Sequence, residues 1–159
     1  MQIVTVQRII AAPPEAVFDW LLDAPSHGLV PKSRPGRLIT PGIPGRNGVG
    51  AVREVVRRGL RRRQRITYYD RPREFRYHMI ESAGKVRHDG ASVRVSAIPG
   101  GTEVIWTTVF EITRGPGSSL LTRASAALLS KEFDSVLRAA EEDLIRTGEL
   151  LSGTTGGTV

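Results

Sequence analysis

Hydrophobic and polar positions alternate most cleanly between Thr102 and Thr113. Val104, Trp106, Thr108, Phe110 and Ile112 point one way, while Glu103, Thr107, Glu111 and Thr113 point the other. This period of two marks a strand with one buried face. In the same manner Phe75, Tyr77 and Met79 oppose Arg76 and His78, and Val93, Val95 and Ala97 oppose Ser92, Arg94 and Ser96. With Ala51 to Arg57 and Arg62 to Tyr69, these runs predict five strands. Gly59, Asp70-Arg71-Pro72, Gly84 to Gly90 and Pro99-Gly100-Gly101 separate them, each break short enough for neighbours to pair as antiparallel hairpins. The expected product is a meander whose apolar face needs a cover.

The two ends of the chain supply other elements. Ile3 to Ile10 is rich in β-branched residues and predicts a first strand, closed by Ala11-Ala12-Pro13-Pro14. Val17, Phe18, Leu21 and Leu22 then fall at helical spacing, with Glu15 near the positive helix start. Prolines and glycines crowd the stretch from Pro31 to Gly50, where a short strand is expected around Arg37 to Thr40 and a mobile loop, able to gate a cavity, over Gly42 to Gly48. Near the C-terminus, Leu129, Phe133, Leu137, Ala140 and Leu144 step by four, four, three and four, one apolar stripe of a helix. Ser118-Ser119 is its expected cap and Gly148 its expected stop. Thirty residues of helix span about 45 Å, long enough to cross a twisted sheet. A disordered tail is expected beyond residue 148.

Composition changes this picture in one place. The 159 residues carry 23 Lys+Arg against 16 Asp+Glu, a formal charge of +7, with 40% hydrophobic residues. These values describe one globular domain and exclude a multidomain enzyme or wholesale disorder. Ten arginines and three acids (Glu54, Asp70, Glu74) lie between Arg53 and Arg76, so this segment holds the whole excess. Arg57, Arg58, Arg61, Arg62 and Arg63 read as a hairpin tip able to dock phosphates, as on RNA, a ribosome or an anionic membrane, against the alternative of a solvated edge with counterions. No cysteine is present, which removes disulfides, thiolate metal sites and a Cys nucleophile. The start of the chain lacks a signal-peptide pattern and no apolar run approaches a bilayer span, so a soluble, cytoplasmic protein is expected.

Four stretches carry a family resemblance. Ile10 to Asp23 is similar to the "apaevvwallaD" opening of the START/Bet v 1-like (SRPBCC) superfamily. Gly48-Val49-Gly50 resembles its "G.G", Arg65 to Tyr77 resembles "RvteydpprrlaYr", and Gly100 to Trp106 resembles "GGTrvtW". Their order and spacing are those of the polyketide cyclase/dehydrase-like branch. The resemblance implies an α+β helix-grip fold over residues 1–148, a curved antiparallel sheet of about six or seven strands wrapped around a long C-terminal helix, with two short helices after the first strand. It also implies a cavity between sheet and helix for a hydrophobic or aromatic, lipid- or polyketide-like small molecule. No cofactor is implied.

Within that frame Trp20, Tyr68, Phe75, Tyr77, Met79, Trp106, Phe110 and Phe133 are the expected ligand-binding residues, although any single one of them serves equally well as core. Cyclisation or dehydration of a poly-keto chain needs a donor at an enolate oxygen and a group that moves protons. Tyr77 and Arg65 are the candidates for it. Strand parity opposes Arg65, because an inward Ile66 sends Arg63 and Arg65 outward, and it places His78 opposite Tyr77. The position where related cyclases carry a pocket arginine aligns near Thr67. His27, His78 and His88 show no metal-ligand spacing and read as surface or loop residues. Ser130 and Asp134 lack a placed His for a triad.

Overall fold

In a computed structural model the backbone is described for residues 2–81, 86–112 and 117–155. The chain runs β1 (Gln2–Ile10), α1 (Pro14–His27), β2 (Ser33–Arg34), β3 (Leu38–Thr40), β4 (Val52–Arg57), β5 (Leu60–Asp70), β6 (Glu74–Glu81), β7 (Val86–Ile98), β8 (Gly101–Ile112) and α2 (Ser118–Thr155). All eight strands join one antiparallel sheet in the order β1-β8-β7-β6-β5-β4-β2, with β3 also against β4. The sheet holds one strand more than the six or seven expected.

Alternation sets the inner face of the sheet. Val4 and Ile10 on β1 and Val104, Thr108 and Phe110 on β8 are buried, and the register pairs Val4 with Thr108 and Val6 with Trp106. The stripe on α2 packs onto this face through Phe133, Val136, Leu137 and Ala140, each large side chain contributing about 1.5–3 kcal/mol by leaving water. Arg8 leans inward from β1 and ties the helix to the sheet, its Nε donating to Glu141 at 3.1 Å and its Nη1 to Asp134 at 3.4 Å.

A single 14-residue helix, α1, stands where two short ones were expected. Pro25 falls in its last turn, where the missing N–H removes one bond near the helix end and does not divide it. Gly28 closes the helix at φ 62°, a conformation that strains any residue with a Cβ. The Phe18 ring meets Tyr69 and Phe75 edge-on, with centroids 5.7 and 5.5 Å away, which seats α1 across one end of the sheet.

Two further boundaries differ. β7 starts at Val86, so the latter part of the break expected over Gly84 to Gly90 is strand, with a bulge between His88 and Gly90. Helix α2 runs through Gly148 to Thr155. A helical glycine costs about 1 kcal/mol, too little to stop a helix of 38 residues. Residues 82–85, 113–116 and 156–159 lie outside the described residues, and with them part of the β6–β7 break, the Gly115-Pro116 turn before α2 and the end of the expected tail.

Candidate functional site

Between the inner face of the sheet and α2 lies a cavity of about 470 Å³. Phe75, Tyr77, Met79, Val93, Trp106 and Phe110 line it from the sheet, Leu129, Phe133 and Val136 from α2, and Leu21 and Ala24 from α1. Trp106 lies flat on Phe133, centroids 3.9 Å apart and planes within 7°, and its indole Nε1 donates to the Tyr77 hydroxyl at 3.0 Å. Six of the eight residues expected to bind a ligand therefore share one wall system. The other two do not. Trp20 is buried in the core outside the cavity lining, where its Nε1 donates to Asp143 Oδ2 of α2 at 2.8 Å and its ring lies against His27. The two hydrogen bonds that Asp143 accepts, from Trp20 and from Arg146, hold its carboxyl below the usual range.

Tyr68 is 38% exposed, with the Arg76 guanidinium 4.5 Å above its ring. A bulge in β5 explains its position. The register steps from Ile66 opposite Tyr77 to Tyr68 opposite Arg76, so Thr67 is one residue extra. Two residues then oppose one, and every side chain after the bulge changes face. Tyr69 turns inward against Phe18 in place of Tyr68. Arg65 lies before the bulge, on the outer face and exposed, and does not reach the cavity. It leaves the set of catalytic candidates.

The polar part of the cavity comes from residues that alternation did not single out. Arg53 faces Gln64 across the β4–β5 pair and is only 2% exposed. Its Nη1 donates to the Leu22 carbonyl and its Nη2 to Gln64 Oε1, while its Nε has no partner. Burial lowers its pKa to about 10, so the guanidinium stays charged at neutral pH. The same burial raises the Tyr77 phenol, against the Trp106 hydrogen bond and the Arg53 and Arg62 charges that favour its ionisation. His88, expected at the surface, lines the cavity because the β7 bulge turns it inward. Its Nδ1 accepts the Met79 N–H at 3.1 Å, so Nε2 carries the proton and donates to Thr108 Oγ1 at 2.9 Å. Both ring nitrogens are occupied by the wall itself. One clue to Arg53 was present in the sequence: it begins an Arg53, Val55, Arg57 alternation that matches the inward face of β4.

The arginine-rich hairpin divides between two faces. Cross-strand pairs Arg53–Gln64, Val55–Arg62 and Arg57–Leu60 face the cavity, and all six residues line it. Arg61, Arg62 and Arg63 surround Glu54, with Arg61 Nη1 3.6 Å from the Glu54 carboxylate, and Arg61 also reaches the cavity lining. Arg58 sits in the turn at φ 51°, with its Nε 3.7 Å from Glu132 of α2. Of the five residues expected to act as one docking patch, Arg57, Arg58, Arg61 and Arg62 thus reach the cavity lining and Arg63 does not. The loop from Gly42 to Gly48, expected near the mouth, folds on itself through reciprocal Ile43–Val49 backbone bonds of 3.0 and 2.9 Å and lines no part of the cavity. Among the described residues no three His, Asp or Glu side chains gather where they could hold a metal, and no helix is long and apolar enough to cross a membrane.

The sequence model of the family described as "Polyketide cyclase / dehydrase and lipid transport" matches residues 1–144. The chain belongs to that family. No curated relative matches it by sequence. Among solved structures it is similar to TTHA0849 from Thermus thermophilus, at 20% identity and a TM-score of 0.72, over 92% of this chain and 99% of that one. It is also similar to the Zhui aromatase/cyclase from Streptomyces sp. R1128, at 18% identity and a TM-score of 0.76, over 91% and 94% of the two chains. Ara h 8.0201 superposes with a TM-score of 0.68 at 16% identity, over 91% and 98%. At such identities the likeness is one of fold, the Bet v 1-like helix grip, and a member of the polyketide cyclase/dehydrase and lipid transport family is a hydrophobic-ligand fold before it is any particular enzyme.

Proposed function

We propose that the protein binds a hydrophobic or aromatic small molecule, lipid- or polyketide-like, in the cavity under α2. The observation that carries this reading is the cavity of about 470 Å³ walled by Phe75, Tyr77, Met79, Trp106, Phe110 and Phe133, within the 300–1,000 Å³ range typical of small-molecule sites. The family's own description, which names both cyclisation and lipid transport, supports the same class of ligand.

The test uses a neutral apolar fluorophore, N-phenyl-1-naphthylamine. It is expected to bind the wild-type protein with enhanced emission, and Leu129→Trp, which places an indole into the cavity from α2, is expected to weaken binding about tenfold or more by occupying the space. Equal binding by the two proteins, or none by the wild type, overturns the reading.

Catalysis on a bound poly-keto chain is a second reading, favoured by one observation. Arg53 and Tyr77 bring a charged guanidinium and a protonated phenol to the same interior, the two kinds of donor that an enolate oxygen requires. On this reading Arg53 takes the role expected of Arg65. A Tyr77→Phe protein that processes a poly-keto substrate as fast as wild type removes Tyr77 from it.

A further inference from the structure

We propose that the cavity selects amphiphiles with an acidic head, the head held by Arg57 and Arg62 at the mouth and the apolar body lying against the aromatic wall. The inference rests on the binding reading above and adds the chemistry of the ligand's polar end.

The register puts both guanidiniums on the cavity side. Arg57 shares a face with Arg53, four residues and about 13 Å further along the strand, and Arg62 projects beside it from β5, opposite Val55. Neither guanidinium forms an ion pair with a carboxylate among the described residues. Arg57 donates its Nη1 to the Glu132 backbone carbonyl at 3.3 Å, while its buried Nε has no partner. Arg62 has no hydrogen-bonded or ion-paired partner among the described residues. The acids nearby are engaged elsewhere: the Glu132 side chain with Arg58 at 3.7 Å, and Glu54 with Arg61 and Arg37 on the outer face. Among the described residues Glu132 is the one acid in the cavity lining, against six arginines.

Two like charges in a partly desolvated rim repel, and burial together with the Arg58 and Arg62 charges lowers the Arg57 pKa against the opposing pull of Glu132. A carboxylate or phosphate between the guanidiniums relieves that repulsion and accepts from their Nη donors. Exposed Leu60 and Leu128 flank the same mouth, so an acyl chain passing inward meets apolar surface along its length.

Dodecanoate, dodecyl phosphate and 1-dodecanol separate the possibilities when each is titrated against the bound neutral fluorophore. For the wild type, at least one acid is expected to bind about tenfold or more tighter than the alcohol, the scale of a charge-assisted contact. The better of the two identifies the head as carboxylate or phosphate. In Arg57→Gln/Arg62→Gln the preference is expected to collapse to within about threefold with the alcohol unchanged, and rising salt is expected to erode it in the wild type. Arg62→Gln alone, at a half-exposed site, keeps the test open where the double variant fails to fold, and is expected to lose part of the preference. If the alcohol binds as tightly as both acids, or if none of the three displaces the fluorophore, the head-group inference is overturned and the cavity reading stands. If the fluorophore itself does not bind, the cavity reading falls with it.

Discussion

Tyr77 shows how one buried side chain serves two ends. Its ring belongs to the aromatic wall, and its hydroxyl accepts the Trp106 indole N–H, so Tyr77→Phe leaves a buried donor unpaired and is expected to cost about 1 kcal/mol at neutral pH. The effect reverses in alkali. Because burial raises the phenol's pKa in the fold, the folded protein holds this proton more tightly than the unfolded chain. That contribution to stability is complete below the ordinary phenol value of about 10 and declines as pH rises above it. Urea midpoints measured from pH 8 to 11 are expected to fall less steeply for Tyr77→Phe than for wild type. Parallel curves would show that Tyr77 ionises in the fold as readily as in water. Arg53 is the complementary case, a cation kept dry by Leu22 and Gln64 at the cost of desolvation, a burden that proteins commonly carry where the charge has work to do.

Among the elements, β5 is the most instructive. A plain alternation through Ile66 and Tyr68 puts both on one face, and the single extra residue at Thr67 undoes it. Deleting Thr67 is expected to leave a regular ladder in which Ile66 still pairs with Tyr77 and Tyr68 with Arg76, so Tyr69 keeps its place against Phe18 and stability changes by less than about 1 kcal/mol. A large drop in the urea midpoint would mean that Thr67 is not the extra residue of the pairing. The clean alternation of β8 and the stripe on α2 were legible from the chain because each is a local pattern with a fixed period. Bulges at Thr67 and before Gly90 were not, since a bulge is defined by the partner strand's register and leaves no mark of its own in one sequence. His88 stayed hidden for that reason, as a histidine in an apparent loop, whereas Arg53 sits in a regular pairing and was masked as one arginine among ten in its segment. The edge of the sheet held a similar surprise. A Cβ at Gly36 would lie 1.8 Å from the Glu54 carbonyl oxygen, so glycine is required there by the closeness of two backbones, and in the sequence it reads only as loop punctuation.

At the scale of the whole molecule, α2 is fastened unevenly. Its middle and later turns carry Phe133, Leu137 and Ala140 in the core, the Arg8 pairs and the Trp20–Asp143 bond, while Leu128, nearer its start, is exposed over the mouth. The net charge of +7 resolves on the same scale into inward and outward arginines of one hairpin, which a count by segment cannot separate. The two tryptophans hold different places in this architecture: Trp20 is hydrogen-bonded from α1 to Asp143 of α2, and Trp106 forms the cavity wall against Phe133. One indole lines the cavity and the other does not. The protein therefore carries its own optical gauge, in which Trp20→Phe leaves a single emitter whose brightness and colour follow the filling of the cavity without any added label.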